Sequence, residues 1–279
     1  MSAQIKACYK KEYLAFFRTK RLIILVLIVV GWAILGPLMI RGLGVALDTL
    51  SPVYDELGMD VSLMTEMFAG SSSMGVVSAI SDIGTVGLIS FILLINSFAG
   101  GEQKKRSIMI PKTSGLKNTA YLIPKYIIYP LTALCLAIIA AFAAWGISAL
   151  IFEVNDVTAR GILFGGILAG ISLMFYVCIH ITIGTATGGP GTSAVICIIA
   201  SMLLPTMFAA FGSELVYNPF TINIMATSVA VDNFVISFAI YEIIVTIAIA
   251  LVLMAMLYFV ALFAQNAKEV DNSGNEIRL

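Results

Sequence analysis

Apolar positions along the chain gather into six long runs, at residues 22–40, 83–99, 122–152, 162–183, 194–211 and 234–264. A helix needs about 20 apolar residues to cross a bilayer, so each run is predicted to be a transmembrane helix. The third and sixth are longer than a bilayer requires and are predicted to tilt or to protrude. Barrel strands would alternate over roughly ten residues, and these runs do not alternate. Ahead of the first run, "IKACYKKEYLAFFRTK" sets Ile5, Cys8, Tyr9, Tyr13, Phe16 and Phe17 at helical spacing. Lys6, Lys10, Lys11 and Arg18 fall mostly on the other side. This pattern predicts a basic amphipathic helix within 1–21 that lies in the interface; the plainer alternative is a tail that only sets topology. The first run starts at Leu22 and is longer than the ~7–15 residues of a signal-peptide core, so it is expected to be a retained span.

Composition narrows the class. Of 279 residues, 60% are hydrophobic and 11% charged, and the mean hydropathy is +1.01. Soluble domains carry about 25% charged residues, so the expected fold is an all-α polytopic membrane protein forming one transmembrane domain. The net charge of zero suggests no nucleic-acid partner. Cys8, Cys135, Cys178 and Cys197 show no CxxC spacing and read as reduced thiols, with no disulfide or metal site.

Charge sets the expected orientation. Six cations precede the first run, six lie in residues 100–126 and two follow residue 264, giving fourteen of the sixteen. Arg41 and Arg160 alone fall on the other side, among ten acids that include Asp48, Asp82, Asp156 and Asp232. Positive loops stay inside, so both termini and the 100–121 loop are expected in the cytoplasm, with 41–82 and 212–233 outside. Helical pieces are expected within 41–82, around "VSLMTEMFAG". The apolar stretch "NPFTINIMATSVAVDN" is expected to form a short helical hairpin dipping into the outer leaflet.

Candidate chemistry is sparse. "GTATGGPGTS" lacks the Gly-Lys-Ser/Thr ending of a phosphate loop and reads as a tight turn; no ATP-binding motif occurs in the chain. His180 is the one histidine, so a zinc or metalloprotease site cannot be assembled. It reads as a packed or cavity-lining residue. Glu242 faces either a cavity or the outer interface. Gly161, Gly165, Gly166, Ala169 and Gly170 permit close helix contact. Pro130 and Pro205 are expected to bend their spans.

The order of parts is specific: a basic arm "KKEYLAFFRTKRLIILVL" leading into the first span, then a second span followed by "GEQKKRSIMIPKTSGLKNTAYLIPKY", then four more spans. This layout resembles the type-2 permeases of ATP-binding-cassette (ABC) exporters. Glu102, Arg106-Ser107, Ile108 to Ile110 and Lys125 occupy places comparable to that family's loop after span two. The resemblance implies a permease subunit that pairs with an identical or sister permease and with two separate cytoplasmic ATPases. ATP and Mg would be bound by those partners, and no cofactor by this chain, which is then not itself an enzyme. It implies an elbow helix containing Tyr9, Tyr13, Phe16, Phe17 and Arg18. It also implies a coupling segment containing Glu102, Lys104, Lys105, Arg106, Ser107, Ile110, Pro111 and Lys112, with Ser114 expected to cap the next helix. The implied location is a bacterial plasma membrane, and the implied cargo is amphipathic or hydrophobic. An ion-coupled secondary transporter, with His180 or Glu242 in its cavity, and a non-transporting scaffold or immunity protein are the competing classes.

Overall fold

A computed structural model describes residues 2–56, 72–104, 109–152, 156–210, 217–231 and 238–276. Among these residues all regular structure is helical, and six helices are long and apolar enough to cross a membrane. The protein is an all-α, multi-pass membrane protein. The arm is α1 (Ser2–Phe17), and the first span is α2 (Lys20–Glu56). The second span (Ser72–Gly101) lies in α3, one continuous helix with two wide π-turns that runs on past the span. The helix runs as Ser72–Asp82, the π-turn Ile83–Gly87, Leu88–Asn96, the π-turn Ser97–Gly101 and Glu102–Lys104. A short helix α4 (Met109–Thr113) precedes α5 (Asn118–Ile151), α6 (Ala159–Thr187) and α7 (Pro190–Ala210). A 3-10 turn, Pro219–Thr221, opens α8 (Ile222–Ala230), and α9 (Ile240–Glu276) is the last element.

Helix α6 is the central element. It packs against α3, α5, α7, α8 and α9, and 72% of its apolar window is buried, against 17% for α7 and for α9. Its small residues make this possible. A Cβ on Gly161 would lie 2.7 Å from the Ala230 carbonyl oxygen, and one on Gly165 2.7 Å from the Ala230 Cβ. On another face, a Cβ on Gly170 would lie 2.9 Å from the Leu134 Cα. One glycine pair therefore seats α8 and another seats α5, as small-residue interfaces do in lipid.

Several boundaries differ from the sequence reading. Helix α2 does not stop near residue 40 but continues to Glu56 through Gly42, Gly44 and Pro52, and Thr49 Oγ1 bonds back to Val45 O at 2.8 Å. Helix α3 begins at Ser72, eleven residues before the apolar run suggests. Its polar start is satisfied from another loop: Asp156 Oδ1 accepts from Ser72 Oγ at 2.8 Å and from Ser73 N at 3.1 Å. A carboxylate there also complements the positive end of the helix. In the stretch expected as a hairpin the described residues, 217–231, hold the 3-10 turn and α8, and the pieces expected around "VSLMTEMFAG" lie outside the described residues. The stretch 265–276, expected as a tail, extends α9.

The turn between α6 and α7 closes tightly, with Gly188 left-handed at φ 68° and its N–H bonded to Gly184 O at 2.9 Å. Pro130 and Pro205 both lie inside helices. The arm and the end of α9 reach the same end of the bundle. Gln4 Nε2 donates to Gly115 O at 3.0 Å, Lys112 Nζ to Gln265 Oε1 at 3.2 Å, and Asn118 Nδ2 to Asn266 Oδ1 at 2.8 Å.

Candidate functional site: a buried ion-pair cluster beneath the basic loop

The second π-turn of α3 prepares the site. A π-turn disturbs the regular ladder, and in a membrane protein a freed carbonyl must find a partner. Lys125 supplies it from α5, donating from Nζ to Phe98 O at 2.5 Å. The turn can press against α6 because both sides are glycine: a Cβ on Gly100 would lie 2.5 Å from Gly184 O. One residue beyond the turn, Glu102 is delivered to the same ammonium, with Lys125 Nζ 2.8 Å from Glu102 Oε2.

Lys125 is fully buried, and its charge is met by two carboxylates. Besides Glu102, the Glu12 Oε1 of α1 lies 3.6 Å away. Tyr129 donates to Glu12 Oε2 at 2.5 Å, and Tyr121 donates to Glu102 Oε2 at 2.9 Å. Lys11 pairs directly with Glu102 Oε1 and stands 3.7 Å from Glu12. The Lys125 ammonium also sits 4.5 Å from the centroid of the Tyr121 ring, a favourable cation–π placement. Two cations and two carboxylates thus join α1, the end of α3 and the start of α5. Burial alone would raise the pKa of Glu102, but Lys125 and Lys11 outweigh it and hold the value down at about 2.

Aromatic packing closes one side of the cluster. Phe16 meets Tyr129 edge-on at 5.3 Å, and Phe98 stacks on Tyr129 at 5.4 Å between centroids. Arg21 lies over Phe98 at 4.8 Å and donates to Ser97 Oγ. On the other side a cleft of about 460 Å³ separates α1 from the 111–121 segment, lined by Cys8, Lys11, Glu102, Pro111, Ser114 and Tyr121 among others.

The sequence-predicted residues divide into groups. Glu102 is internal to the cluster and mostly shielded. Lys104 is exposed, Pro111 lines the cleft, and Lys112 reaches α9. Lys105, Arg106, Ser107 and the side chain of Ile110 lie outside the described residues. Ser114 does not cap α5. Lys117 holds the N-cap position with extended backbone, while Ser114 belongs to the turn closed by Gly115 at φ 84°. On α1, Phe16 is buried, whereas Tyr9, Tyr13 and Phe17 are exposed, as is Arg18 just past its end. The packed stripe of the arm therefore includes Glu12.

The two cavity candidates are in other places. His180 is buried in α6, its ring against the backbone of Ser193 in α7. Glu242 lies in the exposed first turn of α9, where Oε2 accepts from Ala239 N at 2.8 Å and caps its own helix. Among the described residues no group of three or more His, Cys, Asp or Glu could hold a metal ion.

The sequence pattern does not single out Glu12, Tyr121 or Tyr129, and it places Lys11 only on the basic side of the arm. A signal existed: Ile5, Cys8, Glu12 and Phe16 share one helical stripe, so the sole acid of the arm sits in apolar company. Tyr121, Lys125 and Tyr129 recur every four residues, which aligns three polar groups on one face of α5. Comparison of the chain with protein-family models, with curated proteins and with solved structures finds no match.

Proposed function

We propose that the protein is the permease subunit of an ABC exporter, paired with a second permease and driven by two separate cytoplasmic ATPases that carry ATP and Mg. Both termini and the 102–117 segment face the cytoplasm, α1 is the elbow helix, and the cargo is amphipathic or hydrophobic. The observation that carries this reading is the cluster of Lys11, Glu12, Glu102 and Lys125 directly beneath the basic segment. A push on that segment cannot be absorbed locally, because Glu102 is tied to α1 and to α5 at once. The load is delivered to three helices together, which is what a coupling element for an external motor requires. The Lys112 and Gln4 bonds give the same segment further ties to α9 and α1.

Affinity purification of the tagged chain with its genomic neighbours tests the reading. A soluble ATPase is expected to co-purify, and its hydrolysis is expected to depend on the chain. Reversing exposed charge with Lys104→Glu and Lys117→Glu, which leaves the four-residue cluster intact, is expected to abolish co-purification while membrane insertion stays normal. If no ATPase binds, or if the double variant docks as the wild type does, the proposal fails.

A further inference from the structure

A second cleft, of about 370 Å³, opens on the opposite flank of α1 from the ion-pair cluster. Its walls are Tyr9, Tyr13 and Phe17 of α1, Val26 of α2, and Leu131 and Cys135 of α5. Tyr13 and Phe17 stack at 4.4 Å to make one wall flat and rigid. Every one of these side chains is at least partly exposed, although each of the three helices is anchored by its other face. Water is a poor occupant. The cleft has room for several molecules, yet beyond the tyrosine hydroxyls it offers them only Thr132 and the weakly polar Cys135 thiol. The Thr132 hydroxyl already donates to Ile128 O at 2.7 Å. Two of its walls belong to α2 and α5, which are long and apolar enough to cross a membrane, so a lipid tail suits it better than water.

Charge on the rim selects among lipids. Around a helix of 3.6 residues per turn, Lys6 falls within roughly 20° of Tyr13, and Lys10 within roughly 20° of Phe17. Both lysines are exposed. The only acid of α1, Glu12, points to the other side, where Tyr129 and Lys125 hold it. The flank therefore presents an apolar slot, two phenol groups and two ammonium groups, and no carboxylate of α1. We infer that this cleft is a binding site for one anionic phospholipid, with an acyl chain along Tyr13, Phe17 and Leu131 and the headgroup phosphate on Lys6 and Lys10. This inference needs only that the chain is a membrane protein, and it stands or falls independently of any ATPase.

Native mass spectrometry of the purified, delipidated full-length chain, offered phosphatidylglycerol and phosphatidylcholine separately, tests it. One phosphatidylglycerol is expected to be retained in clear preference to phosphatidylcholine. Lys6→Gln with Lys10→Gln is expected to weaken that retention roughly 30-fold, about fivefold per lysine. Cys135→Trp, at an exposed position, is expected to fill the slot and remove binding of either lipid while the helical circular dichroism is unchanged. Equal retention of the two lipids overturns the inference. So does wild-type retention of phosphatidylglycerol by the double-lysine variant, which alters only exposed side chains and keeps the test valid even if Cys135→Trp fails to fold.

Discussion

Where α1 meets α3 and α5, contact is made by two lysines, two carboxylates and two tyrosine hydroxyls. Where α8 lies on α6, it is made by Gly161 and Gly165 against the backbone and methyl groups of Ala226 and Ala230. The first contact is directional and depends on protonation and on every partner being present. The second is short-range dispersion between surfaces that can approach only because side chains are missing. A charge cluster can be loosened by removing one group, whereas a glycine seat gives way only by separating whole helices. The bundle therefore has one end held by a charge cluster and one end held by close helix packing. Under the proposed function, motion applied at the basic segment would turn about the α6–α8 seat.

The largest effect is expected from Lys125→Met. The substitution keeps much of the volume but leaves Glu102 and Glu12 without their shared buried cation. Removing one partner of a buried pair costs about 3–5 kcal/mol, mostly from the stranded charge. Unfolding in detergent by a denaturant series is expected to register a loss of that order. Pairing it with Glu102→Gln, which removes one stranded charge, is expected to restore more than half of the loss. A fully additive double variant would show that the two groups do not interact.

Protonation offers a graded way into the same cluster. Glu102 titrates at about 2 in the folded protein, against 4.5 for an ordinary glutamate. A carboxyl held down in this way contributes stability in full above about pH 4.5 and loses it as pH falls through about 2. The contribution is about 3 kcal/mol at roughly 1.4 kcal/mol per unit. The stability gap between wild type and Glu102→Gln is therefore expected to be flat from pH 8 to 5 and to close progressively below pH 4. A gap that closes already between pH 6 and 5 would mean that the lysines do not hold this carboxyl.

How much of this could be read in advance depended on distance along the chain. The six spans were legible because lipid imposes the same demand on every residue of a run. The Gly161–Gly170 seat was legible as a close-contact face, though nothing in it names α8 and α5 as the occupants. Glu102 was noticed for its place after the second span. Its partner on α1 was not, because Glu12 and Glu102 are brought together only by tertiary packing and periodicity says nothing of what a buried acid will meet. The start of α3 was misplaced for the same reason: Ser72 and Ser73 look like loop residues until Asp156 arrives from between α5 and α6 to accept their hydrogen bonds. Hydropathy also located the ends of α2 and α9 too early, since it detects where lipid stops and not where helix stops.

The smallest expected effect comes from the packed end, and it separates the two contacts by kind. Gly165→Ala adds one methyl group 2.7 Å from the Ala230 Cβ and 2.9 Å from Ala226 O, so α8 must move outward to admit it. Overpacking of this sort costs about 1–3 kcal/mol. No ionisable group of the cluster takes part, so the loss is expected to be the same at pH 4 and pH 8 and insensitive to salt. Measured side by side, Lys125→Met would lose more and would soften with acid, because protonating the stranded carboxyls relieves them. If Gly165→Ala instead shared that pH dependence, the α6–α8 seat and the ion-pair cluster would be one cooperative unit, and the pivot would not be separate from the input.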